Sequence, residues 1–483
     1  MEDEPCRVAR VVVRGLVRTR EYVVEEEFDE VKAATSMGEV VSAAQRGVAG
    51  LLGLNLFETV DVSVELDDDA GATKGYTASK LVVSVAEKQI GSLRVGATTT
   101  TGGDADVCWE AAGSLRSVLG HGETSKVTYS HSRSAGKGRE LQVVVRKPRL
   151  LGHPISAEVE LDDALRAGAG WGPAAAAAAS TRAQGVRLVL SARPALGRVA
   201  TAKVEVVRRG CDAGAGDVKA SARAYASADG RDSDKAPTRG AFVDGALEVA
   251  GFGGLGDAAF AKAETSLQAH APLWNTPAGG VVALSLAARV GAALPLPQIL
   301  GGYPQNGHAN GHAHKHFLHA EDRFYLGGPT SLRGFEVCGV GARDAAAEAL
   351  EHRPLRPLAA LGRLARWLRR LPAAAAAAPQ PARRAAGAAA VYSLTAMLTA
   401  PAPNAFLAEA GVRPQLWAQV GGLVDAWSKN ALAASPRCAV GCGIAWAPSN
   451  LARVEVNYAW VLRCDRVCDS TNNFQLGISA SFG

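Results

Sequence analysis

The sequence predicts an all-β transmembrane antiparallel β-barrel of about 16 strands, preceded by one small α+β domain. Three observations carry that expectation. Segments of roughly ten residues with alternating polarity recur from Gly91 to the end, separated by Gly, Asp, Asn and Pro. Although 48% of the 483 residues are hydrophobic, no uninterrupted run of about 18 or more strongly apolar residues occurs, so a membrane form has to satisfy its backbone by closed-sheet pairing. Residues 7–88 follow a different pattern, that of a two-layer unit.

That first unit opens with the β-branched run Val8 to Val13. An acidic helix-like stretch follows from Thr19 to Val31, then a second helical stretch of small and apolar residues from Met37 to Leu52. Val60, Val62, Val64 and Leu66 alternate with Asp61, Ser63 and Glu65 as a strand. After the polar linker Asp67 to Lys80, Leu81 to Val85 closes the unit as another. Strand, helix, helix, strand, strand makes a sheet with helices on one face.

From Gly91 onward strands dominate. Ile155 to Leu161 alternates with Ser156, Glu158 and Glu160, and Ala200 to Val206 with Thr201, Lys203 and Glu205. Tyr392, Leu394, Ala396 and Leu398 alternate with Ser393, Thr395 and the exception Met397. Val454, Val456, Tyr458, Trp460 and Leu462 alternate with Arg453, Glu455, Asn457 and Ala459. The last strand sets Phe474, Leu476, Ile478, Ala480 and Phe482 on one parity against Gln475, Gly477, Ser479 and Ser481 on the other. Greasy outside and wet inside is what a transmembrane barrel needs. Periodicity by itself leaves a large soluble β protein open, with the apolar faces in a core.

Two interruptions stand out. Residues 301–320 hold His308, His312, His314, His316 and His319 among Gly and Asn, which reads as a polar loop because no carboxylate or cysteine completes a metal site. Residues 345–387 are a low-complexity insertion rich in Ala, Arg, Pro and Leu, read either as disordered chain or as a cationic surface helix near 361–371. The eight cysteines, including the spaced pairs Cys438/Cys442 and Cys464/Cys468, fit no zinc pattern and are expected to be free thiols. The acidic start, Met1 to Pro5, argues against a cleaved signal or an arginine-rich transit peptide. A net charge of +5, scattered along the chain, gives nucleic-acid binding no support. No P-loop, triad spacing or paired acids appear, so neither enzymatic activity nor a cofactor or metal is expected.

The most specific string is Phe324-Tyr325-Leu326-Gly327-Gly328-Pro329-Thr330-Ser331-Leu332-Arg333-Gly334-Phe335, a glycine-rich loop carrying one arginine. Together with Gly50 to Glu65 and the ending from Ala452 to Phe482, it resembles the signature of the barrel-assembly superfamily, and within it the mitochondrial sorting-and-assembly branch. The resemblance implies that residues 7–88 are one POTRA domain and 89–483 the transmembrane barrel, with 301–343 including a loop that folds into the lumen. Leu326, Gly327, Gly328, Pro329, Arg333, Gly334 and Phe335 form that loop, with Arg333 locked against the inner wall. The planar guanidinium suits the task because it bonds several acceptors at once, and the glycines supply backbone conformations closed to other residues. Bacterial relatives receive this arginine on an aspartate, whereas the matching stretch here carries Gln419, so Glu455 stands as a second acceptor.

In the last strand Gln475, Gly477, Ala480 and Phe482 occupy the places of the mitochondrial sorting signal. The resemblance implies an insertase that folds β-barrel precursors through a lateral gate between the first strand, Gly91 to Thr100, and the last. Gly91, Gly96 and Gly477 loosen that seam, and Gly91 relieves crowding where the N-terminal domain joins. Precursors, other subunits of the sorting machinery and outer-membrane lipids are the implied partners. A translocation or metabolite pore, and the plastid outer envelope as location, stay open as alternatives.

Overall fold

The computed structural model describes residues 6–66, 77–100, 106–132, 139–150, 153, 155–166, 181–195, 197–211, 214–276, 280–296, 318–341, 387–424, 436–449, 452–465 and 468–480. The histidines at 308–316, most of the 345–387 insertion and Phe482 lie outside the described residues.

The N-terminal domain is a three-stranded sheet in the order β1-β3-β2, from β1 (Cys6–Arg14), β2 (Phe57–Leu66) and β3 (Thr77–Glu87). β1 runs parallel to β3, and β2 antiparallel to it. The acidic stretch is not one helix. It breaks into α1 (Glu21–Glu25), a 3-10 turn (Glu26–Phe28) and α2 (Asp29–Ala33), and Val24, Phe28 and Val31, at helical spacing, are buried together. α3 (Met37–Gly53) starts on a side-chain cap: the Ser36 hydroxyl accepts the Glu39 N–H at 3.3 Å, and the Glu39 carboxylate accepts the N–H of the preceding Thr35 at 2.8 Å. Its inner face, Val40, Ala43, Ala44, Gly47 and Leu51, follows the helical repeat. Gly47 is required there, because a Cβ would come within 2.5 Å of the Phe28 ring.

The second sheet has 16 strands joined only to sequence neighbours. They are β4 (Gly91–Thr100), β5 (Asp106–Arg116), β6 (Thr124–Ser132), β7 (Arg139–Lys147), β8 (Ile155–Arg166) and β9 (Thr181–Ala195). Next come β10 (Arg198–Cys211), β11 (Gly214–Asp229), β12 (Gly240–Ala250), β13 (Phe260–Asn275) and β14 (Val281–Pro295). β15 (Ala390–Thr399), β16 (Val412–Val424), β17 (Arg437–Ser449), β18 (Ala452–Arg463) and β19 (Phe474–Ala480) complete it. Every pairing is antiparallel, so alternate connections lie at alternate ends. The end that meets the N-terminal domain is proximal; the loop between β14 and β15 lies at the distal end.

Alternation sorts the faces as the sequence predicts. On β18 Val456, Tyr458, Trp460 and Leu462 are exposed outward, while Asn457 and Ala459 are buried on the lumenal side. Trp109, Trp460 and Phe474 stand outward toward the distal rim, and Trp274 and Trp446 toward the proximal one, as interfacial aromatics do. No described helix is long and apolar enough to cross a membrane, which leaves crossing to the strands.

The interior departs from a simple wet lumen. Beside β14–β18 it is filled by an apolar cluster in which Phe324, Leu326, Leu332 and Phe335 of the inter-strand loop pack against Trp417 and Leu423 of the wall. Small wall residues such as Ala439 and Ala459 leave room for them.

The N-terminal domain is fixed to the proximal turns of the barrel. The Glu87 carboxylate gathers the backbone N–H groups of Val17 (3.1 Å), Arg18 (3.1 Å) and Thr19 (2.8 Å), which turns the chain toward the barrel. There the Arg20 N–H reaches the Gly120 carbonyl at 2.9 Å and Arg149 pairs with Glu27 at 2.7 Å. These contacts all fall on the β5–β6 and β7–β8 turns.

Candidate functional site

From Leu318 onward the described part of the loop lies in the lumen, and it is anchored before the glycines begin. Asp322, 5% exposed, accepts from Arg209 at 2.7 Å and Lys219 at 2.9 Å, two cations on β10 and β11. The Lys262 ammonium sits 4.3 Å from the centroid of the Phe324 ring, and Phe324 bridges to Ala388. Leu326 is buried. Gly327 and Gly328 then take φ of +116° and +112°, values that exclude other residues, and turn the chain back on itself. The turn is closed by the Gly328 N–H to the Phe335 carbonyl at 3.1 Å and by Val340 to Leu326 at 3.2 Å.

Arg333 lies at the tip, 8% exposed. Its Nη2 donates to Glu455 Oε2 at 2.7 Å, and its backbone N–H donates to Gln419 Oε1 at 2.7 Å. Both acceptors proposed from the sequence are therefore at the arginine, in different roles: the carboxylate takes the charge and the amide takes the main chain. The guanidinium also stands over Trp417, 5.6 Å from the ring. Gln419 is held in turn, since its Nε2 donates to Thr395 Oγ1 at 2.9 Å.

Glu455 does not stand alone. Arg453 Nε donates to its Oε1 at 2.7 Å, Asn457 Nδ2 to its Oε2 at 3.2 Å and Gln415 Nε2 to the same oxygen at 3.3 Å. Asn457 accepts from Gln415 at 2.8 Å and from the Trp417 indole at 3.2 Å. Sequence reasoning missed Arg453, Asn457, Gln415 and Trp417 as parts of the site. The signal was present, because all share the lumenal parity of β16 and β18, but only the register of those strands shows that they meet.

The terminal strand is bound by the same loop. Gln475 Oε1 accepts the Gly334 N–H at 3.0 Å, and Gln475 Nε2 donates to the Phe335 carbonyl at 2.5 Å. Two positions on, a Cβ at Gly477 would lie 3.1 Å from Pro329 Cβ, so a side chain there presses on the loop. Gly334 is pinned between Val461, Ala459 and Ala439. Beyond the tip, Asp469 accepts the Gly341 N–H at 2.9 Å and Arg437 Nε at 2.9 Å, tying the loop to the β18–β19 connection.

At the seam, Gly91 and Gly96 lie on β4, and Ala480 pairs with Ala452 at the end of β19. Among the described residues no pairing joins β4 to β19, and Ser92 to Gly96 are exposed on both faces. The seam between the first and last strands therefore has no strand pairing among the described residues. Nor does crowding explain Gly91: a Cβ there would meet Leu115 at 3.4 Å, an ordinary contact, and no atom of the N-terminal domain. Cys6, Cys338, Cys438 and Cys442 are free thiols, and no described group of His, Cys, Asp and Glu could hold a metal.

Residues 164–482 match the family model of the Omp85 superfamily domain. The BamA crystal structure from Haemophilus ducreyi lacking POTRA domains 1–3 has a similar fold, with a TM-score of 0.64 at 13% identity over 99% of this chain and 84% of that one. CdiB from Acinetobacter baumannii aligns with a TM-score of 0.49 at 10% identity over 98% of this chain and 73% of that one. A SAM50-like protein of Schizosaccharomyces pombe is 39% identical over 117 residues, 24% of this chain, which therefore spans only 20% of that relative's length. With the family model covering well over half of its 483 residues, and a BamA-like sheet of 16 strands around an arginine-bearing lumenal loop, the chain belongs to the Omp85 superfamily.

Proposed function

We propose that this chain is an insertase of the mitochondrial outer membrane, which folds β-barrel precursors at a lateral gate between β4 and β19. One observation carries the reading: the first and last strands of the barrel do not pair among the described residues, while the last strand is gripped from inside by the arginine loop. An unpaired strand edge is a template for another strand. A precursor's terminal strand displaces β19 and adds to β4, and its polar and glycine residues take over the places of Gln475 and Gly477 against Gly334, Phe335 and Pro329. Backbone groups of β4 that have no strand partner among the described residues gain one from the precursor, as a hydrocarbon surrounding requires. No nucleotide, metal or other cofactor takes part.

The SAM50-like relative supports the mitochondrial location, and the small three-stranded α+β domain at the N-terminus is read as a single POTRA domain. Precursors, lipids of the outer membrane and other subunits of a sorting-and-assembly machinery are the partners in this reading.

The test is site-specific crosslinking during import. Val95→Cys on β4 and Leu476→Cys on β19 are expected to form adducts with the terminal strand of a newly imported porin precursor. Adducts at the proximal turns but at neither of these positions overturn the gate, and recovery of the chain with plastid envelopes overturns the location.

A further inference from the structure

We propose that the β11–β12 turn, residues 230–239, is a second lumenal plug, which closes the barrel from its proximal end, and that Arg453 is the positioning residue through which this plug and the arginine loop hold the same strand. Barrels of this kind keep short turns at the end away from their long loops, as residues 196–197 between β9 and β10 and 450–451 between β17 and β18 do; the β11–β12 turn is longer than these, though shorter than the β15–β16 connection, residues 400–411.

Instead of projecting outward, the turn crosses the lumen to the opposite wall. Its tip residue Lys235 is 8% exposed. The Lys235 carbonyl accepts Arg453 Nη1 at 2.8 Å and the Ala236 carbonyl accepts Arg413 Nη1 at 3.3 Å, although these arginines belong to β18 and β16. A small cavity bounded by Ser285, Met397, Thr399 and Ala445 separates the turn from the wall.

The turn is built to keep its shape. Asp232 accepts the Thr238 N–H at 2.9 Å and the Arg239 N–H at 3.2 Å, which closes the tip. At its root Arg231 bonds Asp229 at 2.7 Å, Asp234 at 2.9 Å and Gln268 at 3.2 Å, and covers the Phe242 ring at 4.7 Å. These bonds lie within the turn and its neighbouring strands, and the two arginine bonds to β18 and β16 are added to them as a latch.

Arg453 uses each of its three nitrogens on a different group: Nε on Glu455 at 2.7 Å, Nη1 on Lys235 at 2.8 Å and Nη2 on Gln415 at 3.2 Å. Glu455 gives its other oxygen to Arg333. A continuous chain of charge-assisted bonds therefore runs from the proximal plug to the distal one through two residues of the penultimate strand. Loosening either plug weakens the support of the other. The inference concerns access to the lumen and does not depend on what passes through it.

Two measurements test it on the full chain in planar bilayers and in liposomes. Replacing residues 232–238 by Gly-Asn is expected to raise channel conductance severalfold with Arg333 unchanged, and Arg453→Ala to raise the time spent open. With the latch intact, Lys235→Cys is expected to react with a membrane-impermeant maleimide at least tenfold more slowly than after Arg453→Ala, read at that peptide by mass spectrometry. Arg453→Lys, which keeps the charge but cannot bridge three acceptors, is expected to restore less than half of the protection. Full-rate labelling of Lys235→Cys in the otherwise unaltered chain, or unchanged conductance after turn removal, overturns the proposal.

Discussion

Arg333 and Glu455 meet 2.7 Å apart inside the barrel, their side chains 10% and 14% exposed, and join a loop that enters from the distal end to the strand next to the terminal one. Breaking such a pair from one side leaves an uncompensated charge in a poorly solvated place, which costs about 3–5 kcal/mol. Glu455→Ala is therefore expected to expose the loop to protease and to lower the temperature at which the folded barrel loses its compact gel mobility. Arg333→Lys is expected to fall between, because an ammonium cannot match the guanidinium's planar fork or its position over Trp417. Equal mobility and protease resistance of all three chains disproves the lock.

Gly334→Ala attacks the tip without touching a charge. The residue has φ of +90°, where a Cβ costs about 1–2 kcal/mol by itself. That Cβ also comes 3.0 Å from Val461, 3.2 Å from Ala459 and 3.3 Å from Ala439, with two strands unable to retreat. The expected result is a loop lifted from the wall with the strands intact. Circular dichroism is to stay unchanged while proteolysis near Arg333 accelerates; unchanged proteolysis contradicts the packing described.

Gln475 is expected to matter more than its exposed neighbour Leu476. Gln475→Leu removes the acceptor of the Gly334 N–H, leaving that buried group unpaired at about 1–3 kcal/mol, and one of the two donors to the Phe335 carbonyl, which keeps the Gly328 N–H. A faster hydrogen exchange of β19 in Gln475→Leu, and none in Leu476→Val, is the expected pattern. The reverse order rules out the loop as the grip on the last strand.

Glu87 sets an acid limit on the N-terminal domain. Burial pushes its carboxyl up, but the N–H groups of Thr19, Arg18 and Val17 and the Thr19 hydroxyl outweigh that and hold it below its ordinary 4.5. A carboxyl lowered on folding contributes its full stability above the unfolded value and loses it as pH falls through the folded one. Protection of the Val17 to Thr19 amides against hydrogen exchange is thus expected to be constant from neutral pH down to about 4.5 and to collapse below it. Glu87→Gln is expected to lower that protection at neutral pH and to flatten its pH dependence; a variant that keeps the acid step places its origin elsewhere.

Much of the fold was legible because lipid imposes a repeat of two on every strand. Once Val454, Val456, Tyr458 and Trp460 share one parity and Arg453, Glu455 and Asn457 the other, the strand, its two faces and its environment follow locally. Glycines at 327, 328 and 334 likewise announce a special backbone before any coordinates. The 3-10 turn at Glu26 was not legible, because Val24, Phe28 and Val31 keep helical spacing across it.

What the chain determined by itself is the alternation, the number of strands and the chemical character of the arginine loop. What only the tertiary structure decided is who meets whom: that Gln419 takes the backbone of Arg333 while Glu455 takes its charge, that Gln475 belongs to the loop as well as to the seam, and that the turn at Lys235 reaches Arg453 across the lumen. The physical reason is that alternation is a property of neighbouring residues, whereas these partners are more than 80 residues apart. Strand register, barrel closure and the path of a loop bring them together, and none of these is written in a local pattern.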